Sequence, residues 1–328
     1  MKAQDPRLTQ ILRPVEEDLR GVRRRLMSCL RDPFARRAVY LITAGGKLLR
    51  PSLVLLAGRS GAHEQQRTQL IELAAATELI HTATLIHDDI IDGALVRRRR
   101  PTFHQRFGTE RAVLTGDYLY ATAFSLMAGL RDPYVTRFMA EVCRQMSRGE
   151  LLEVESRYDL EVTDADYLRT IRDKTASLME ACCHLGAHVA GAAVSTVARV
   201  ATFGLNFGMA FQIVDDCLDL EGEERIVGKT LRSDLDKGSL SLPVIYLGAL
   251  LPAGERRALF APLRGRRPTR DFLSRVARAA VESGALAQAR EIAWAFLDEA
   301  TAVLAEQDGV GLVETFRELA SYARDRAQ

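Results

Sequence analysis

Apolar residues along the chain recur at intervals of three and four, as in ATELIHTATLIHDDIID (76–92) and FGMAFQIVDDCLDL (207–220), while strand-like alternation of Val, Ile and Thr is almost absent. That period predicts amphipathic helices throughout, and an all-α fold. Ala, Leu, Arg and Glu, which lose little rotamer freedom in a helix, fill the windows between breaks. Breaks are predicted at Asp32-Pro33, Gly45-Gly46, Pro51, Gly58 with Gly61, the run Arg97 to Pro101, Gly116 and Asp132-Pro133, with a new helix opening at Asp164. None of them reads as a domain linker, so residues 1–328 are expected to form a single domain. Its motif-rich core spans 40–250, and C-terminal helices fill 270–328, over about 271–284, 285–305 and 311–327.

Two segments interrupt the helical texture. Residues 220–243, ending EGEERIVGKTLRSDLDKGSLSLP, are polar and glycine-punctuated, and are read as a lid or a disordered loop. Residues 252–270 are read as a basic connection.

Composition narrows the class. With 328 residues, 47% of them hydrophobic, the chain has ample material for a core and is neither disordered nor a disulfide scaffold. A net charge of +2 does not advertise nucleic acid or an anionic membrane as partner, so functional charge must be local. Five cysteines, odd in number and without a CxxC spacing, suggest neither disulfides nor structural zinc and fit a reducing cytoplasm. Residues 1–20 are charged and lack an apolar signal core, and no window of about 18 uncharged apolar residues follows; no transmembrane segment is expected.

The chemistry concentrates in a repeated Asp-Asp-x-x-Asp. HDDIID holds Asp88, Asp89 and Asp92; VDDCLD holds Asp215, Asp216 and Asp219. In a helix the outer aspartates of each motif lie at i and i+4 on one face, where like charges repel. Both motifs sit in strongly apolar sequence, so their charge needs compensation. A single such motif is most simply a solvated helix face; two with apolar flanks favour hard divalent cations, and Mg²⁺ takes a few carboxylates together with water and phosphate oxygens.

Cations for a diphosphate stand at the right breaks. Gly45-Gly46-Lys47-Leu48-Leu49-Arg50-Pro51 sets a flexible double glycine before two cations at a helix entry, although a plain turn with solvated cations has the same composition. Arg97 to Arg100 follow the first motif closely enough to fold back over one ligand, and a solvated basic loop is the bland alternative. The run lacks interleaved aromatics and neighbours acidic motifs, which argues against nucleic acid. His81 and His87 do not share a helix face as a zinc-binding pair would; His81, two turns before Asp88, is a candidate phosphate donor.

GGKLLRP, then HTATLIHDDIIDGALVRRRRPT, then VLTGDYLYATAF, then FGMAFQIVDDCLDL, in that order, closely resemble the all-trans polyprenyl diphosphate synthases, over about 45–246. The resemblance implies an antiparallel helical bundle around a deep central apolar cavity, with the two aspartate helices facing each other at its mouth, and a homodimer. It implies condensation of isopentenyl diphosphate with an allylic prenyl diphosphate through ionisation, attack by the isopentenyl double bond and loss of a proton. Asp88, Asp92 and Asp215 would ligate Mg²⁺, with Asp89, Asp216 and Asp219 completing the shells. Arg97, Lys174 and Lys229 would bind the allylic diphosphate; Lys47, Arg50, His81 and Arg98 would bind isopentenyl diphosphate; Thr175 and Gln212 would lie near the reacting carbons. Segment 220–243, which carries Lys229, would close as a lid. The chain departs from the family at Ser239, commonly Lys, and at Glu153, commonly Gln; Lys237 is a candidate substitute for the missing cation.

In such enzymes side chains one turn above the first motif set product length. Here they are the small Ala83 and Thr84, with Ala76, Leu79 and Ile80 deeper and Phe124 or Met127 as candidate floors, so products longer than C20 are expected. The competing readings are a geranylgeranyl diphosphate synthase, the catalytic subunit of a heteromeric synthase, a class I terpene cyclase and a non-enzymatic helical binding protein. The second DDxxD and GGKLLRP argue against the cyclase.

Overall fold

The computed structural model describes residues 5–43, 46–221, 233–263, 268–305 and 311–326. These are overwhelmingly α-helical, and among them the only β-structure is a hairpin of Val96–Arg97 with Arg100–Pro101. The chain divides into two compact units: Met1–Val142, Leu178–Gly204 and Thr301–Tyr322 form one, and Cys143–Ser177, Leu205–Ala300 and Ala323–Gln328 form the other.

The first unit is organised on the helix Arg67–Ile91, which packs against Glu16–Cys29, Leu49–Gly58 and Thr109–Gly129. Its apolar residues run nearly all round, and Leu70, Leu73, Ala76, Leu79, Ile80, Ala83 and Ile86 are fully buried. Each large aliphatic side chain so buried contributes about 1.5–3 kcal/mol. The helix stops at Gly93, whose φ of +60° lets Ala94 N–H donate back to Asp89 O, capping the last carbonyls.

Gly116 does not break a helix. Thr109–Gly129 runs straight through it, because a Cβ there would lie 2.2 Å from His87 Nε2; the glycine serves close packing against Arg67–Ile91. Pro51 likewise sits in the first turn of Leu49–Gly58, where its missing N–H costs no hydrogen bond. Residues 252–270, expected as a connection, contain the helix Ala253–Phe260, which buries Phe260 and ties Arg256 to the Leu160 carbonyl. The C-terminal helices are Arg270–Glu282, Ala285–Ala302 and Leu312–Asp325.

The Arg97 to Pro101 run, expected as a loop, is a two-residue hairpin turn with Arg98 and Arg99 both at positive φ, +51° and +61°. This is the backbone of a type I′ turn, normally given to Asn or Gly, and it costs each arginine on the order of 1 kcal/mol. Buried Thr102 holds it by donating Oγ1 to Ala94 O at 2.7 Å, and Tyr40 Oη donates to Pro101 O at 2.9 Å.

In the second unit Thr163 and Asp166 form a reciprocal capping box that starts the helix Asp164–Ile171. A π-helical turn, Arg172–Ala176, follows it directly. Leu242–Leu250 packs against both Asp164–Ile171 and Arg270–Glu282. The helix Val194–Glu221 passes the length and composition test for a membrane span at a mean hydropathy of 1.3. It gets there although no window in it is wholly uncharged, and 67% of that window is buried inside the protein.

Gly186 tests the packing of the first unit. A Cβ there would stand 2.3 Å from Val54 O, backbone that cannot swing aside. Gly186→Ala is expected to lower unfolding free energy by about 1–3 kcal/mol in a urea titration, despite the better helix propensity of alanine.

Candidate active site

Both acidic motifs occupy the C-terminal turns of long helices: Asp88, Asp89 and Asp92 close Arg67–Ile91, and Asp215, Asp216 and Asp219 close Val194–Glu221. Unsatisfied carbonyls make this the negative end of a helix, so three carboxylates there add to a potential that already disfavours them. Each motif is answered by cations and donors within its own unit.

In the first unit Asp89 is fully buried and accepts from Arg97 Nε at 2.7 Å, which brings the arginine back along the hairpin onto the motif. Burial still pushes the Asp89 carboxyl above its ordinary range, with Arg97 opposing, and its Oδ2 is buried without a hydrogen-bond partner. Asp88 and Asp92 are half-buried, one turn apart. A cleft in this unit is lined by Gly46, Glu78, Thr82, Leu85, Arg97, Arg98 and Arg100. Burial, followed by the nearby charges of Arg50, Arg98 and Arg97, holds His81 well below its ordinary value and so neutral. Glu78, one turn before His81, is pushed up to about 7 by burial, against the pull of Arg50 and Arg98. Lys47 precedes Leu48, a non-glycine residue at φ +49°, and donates Nζ to Tyr322 Oη at 2.7 Å; Tyr322 in turn donates to Asp5. Ala83 is fully buried, and Thr84 turns its hydroxyl back to His81 O. Met127 is buried at the end of Thr109–Gly129, and Phe124 is half-buried.

In the second unit the π turn carries Lys174 and Thr175. It is pinned by Asp173, which accepts from Gln145 Nε2 and Arg148 Nε, both at 2.8 Å. Lys174 Nζ sits between Glu153 Oε2 at 2.5 Å and Glu150 Oε2 at 2.7 Å. Burial raises the Glu153 carboxyl while Lys174 opposes, and Ser239 donates to its other oxygen at 3.3 Å. The two departures from the family pattern therefore touch each other. Thr175 Oγ1 donates to Gln212 Oε1 at 2.9 Å, Gln212 Nε2 donates to Asp216 Oδ1 at 2.7 Å, and Tyr167 Oη donates to Asp216 Oδ2 at 2.7 Å. Burial and then the Asp216 charge push the Tyr167 phenol well above its ordinary value. Asp215, half-buried, pairs with Arg326 at 2.8 Å; Asp219 is buried.

Lys229 and Gly45 lie outside the described residues, as does 222–232 of the lid segment. Reading the sequence missed Tyr322, Asp5, Glu78, Glu150, Tyr167 and Arg326. Only Glu78 and Glu150 carried a local signal, standing three positions from His81 and Glu153 on the same helix faces.

These residues fit a hard divalent cation. The motif donors are all carboxylates, and buried Asp89 keeps its Oδ2 without a hydrogen-bond partner. Among the described residues no three carboxylate, imidazole or thiol groups converge into a ready-made cage. A metal here would draw the rest of its shell from water and phosphate oxygens, as Mg²⁺ does.

Comparison with known proteins agrees. The Polyprenyl synthetase family model matches residues 32–271. The chain is 42% identical over 246 residues to heptaprenyl diphosphate synthase component 2 of Geobacillus stearothermophilus, covering 75% of each chain. It is 37% identical to geranylfarnesyl diphosphate synthase of Aeropyrum pernix, over 87% of this chain and 91% of that one. Among solved structures, polyprenyl synthase from Caulobacter crescentus, complexed with calcium and isoprenyl diphosphate, matches with a TM-score of 0.90 at 34% identity, covering 98% of both chains. The chain belongs to the polyprenyl synthetase family, the all-α trans-prenyltransferases that join prenyl diphosphates and hold them through divalent metal.

The Arg97–Asp89 pair yields a test of stability. Arg97→Ala leaves a buried carboxylate uncompensated and is expected to cost about 3 kcal/mol at neutral pH. Asp89 in the folded protein already lies above its unfolded value, and losing Arg97 raises it further. The loss should therefore shrink as pH falls through that raised value, checked by urea unfolding at neutral and mildly acidic pH.

Proposed function

We propose that this chain, as one catalytic domain, condenses isopentenyl diphosphate with an allylic prenyl diphosphate, using Mg²⁺ held by Asp88, Asp92 and Asp215 with Asp89, Asp216 and Asp219 in support. The observation that carries this is the doubled motif, each copy at the negative end of a buried helix and each with its own cations. The reaction breaks the allylic C–O bond, joins the cation to the isopentenyl double bond and releases a proton. The product is an all-trans chain longer than C20, as in the heptaprenyl and geranylfarnesyl relatives.

Mg²⁺, when bound, would neutralise charge gathering on the departing diphosphate. Arg97 and Lys174, with Lys229, bind that diphosphate as well, Arg97 as a planar fork and the lysines as point charges. Lys47, Arg50 and Arg98 hold the isopentenyl diphosphate. A neutral His81 adds a hydrogen-bond donor there without a further positive charge. Thr175 and Gln212 present a fixed dipole array beside the reacting carbons, which stabilises positive charge without offering a free nucleophile. Ala83 and Thr84 leave the path for the growing chain open, so the floor lies deeper. The enzyme works as a cytoplasmic homodimer. A second reading, that it is the catalytic half of a two-component synthase, is favoured by its 42% identity to a protein named as component 2.

Incubating the purified chain with Mg²⁺, labelled isopentenyl diphosphate and farnesyl or geranylgeranyl diphosphate should give Mg²⁺-dependent products of C25 or longer, absent with Asp88→Ala. Ala83→Phe should shorten them while turnover persists. A stop at C20 would refute the long-chain reading; no product from folded protein would favour the two-component one.

A further inference from the structure

Tyr167 lies outside every motif the sequence offers, yet its phenol is at the buried end of a continuous set of hydrogen bonds. It donates to Asp216 Oδ2 at 2.7 Å; Gln212 Nε2 donates to Asp216 Oδ1 at 2.7 Å; Thr175 Oγ1 donates to Gln212 Oε1 at 2.9 Å. Tyr167 and Asp216 are 6% and 7% exposed, and all four residues belong to the second unit. Bonds of this kind to a carboxylate are strong, and a buried partner left without one pays the full desolvation cost.

The backbone is built to make the arrangement. Tyr167 and Thr175 are eight positions apart, a spacing that a regular α-helix would set about 80° apart around its axis. The π turn Arg172–Ala176 absorbs one residue between them. The separation then behaves as the i, i+7 spacing of one helix face, and both side chains reach the helix that carries Gln212 and Asp216.

We propose that Tyr167 is a positioning residue for prenyl transfer: it locks the Asp216 carboxylate, which fixes the Gln212 amide and through it the Thr175 hydroxyl, so that Asp216 is an anchor and not a metal ligand. This rests on the reading above, in which Thr175 and Gln212 flank the reacting carbons and Asp215 ligates metal. Both Asp216 oxygens already accept short hydrogen bonds from groups fixed in the fold, and Asp216 is buried whereas Asp215 is half-buried, so Asp215 is the better placed of the two to meet a cation. The Gln212 amide has one orientation, with its nitrogen on the carboxylate and its oxygen on Thr175.

The test uses the full chain carrying Tyr167→Phe, Asp216→Asn, both together, or Asp215→Asn. It measures kcat, KM for each diphosphate, and Mn²⁺ affinity in the presence of inorganic pyrophosphate by electron paramagnetic resonance. Tyr167→Phe is expected to lower kcat by roughly tenfold to a hundredfold, with KM and Mn²⁺ affinity within about twofold. Asp216→Asn should behave alike, and the double variant should be no worse than the weaker single one. A kcat for Tyr167→Phe within about twofold of the parent overturns the proposal. So does an Asp216→Asn loss of Mn²⁺ affinity equal to that of Asp215→Asn. If Tyr167→Phe does not fold, Mn²⁺ affinity of Asp216→Asn against Asp215→Asn decides alone. An Asp215→Asn variant unchanged in both affinity and kcat would overturn the underlying reading, and the positioning role with it.

Discussion

Six carboxylates placed at the carbonyl ends of two apolar helices are the constraint on which the rest of this molecule depends. Each helix end carries partial negative charge from its unpaired carbonyls, and each motif adds side-chain charge to it in surroundings that exclude much of the water. The protein cannot hold that charge without a local answer. Arg97 reaches Asp89 by way of a strained hairpin, Tyr167 and Gln212 reach Asp216, and Arg326 reaches Asp215. In each motif the outer carboxylates stand at i and i+4, the geometry in which a divalent ion replaces repulsion with shared attraction.

Strain is placed where it positions charge. Leu48, Arg98 and Arg99 all adopt left-handed backbone with no glycine to ease it, and each adjoins or is a residue proposed to hold diphosphate. The surroundings over-determine these conformations: Leu48 O accepts from both the backbone and the hydroxyl of Ser52, and Thr102 and Tyr40 close the hairpin.

How much of this could be read from the sequence follows the range of the interaction. Helical period, the paired motifs and the order of the cationic segments are local patterns, and they gave the all-α fold and the family before any coordinates. Gly116 misled because a glycine required for close packing against His87 looks, in one dimension, like a glycine that ends a helix. The partners of the site residues were invisible for a related reason. Tyr322 stands 275 positions from Lys47 and Tyr167 stands 49 from Asp216, separations at which spacing along the chain says nothing about contact in space. The hairpin was hidden by its residues, since a pair of arginines is not the usual chemistry of a type I′ turn.

The π turn at Arg172–Ala176 has a consequence for how this segment can change over evolutionary time. It is one residue longer than an α-helical path between the same ends, and that surplus residue is what brings Tyr167 and Thr175 to the same side. Substitutions along it alter single contacts. Relaxation to a regular α-helix at unchanged length would rotate everything beyond it by about 100°, whereas loss of one residue together with the bulge would leave the following helix in register. The bulge and its surplus residue are therefore coupled, and are gained or lost together in a single step.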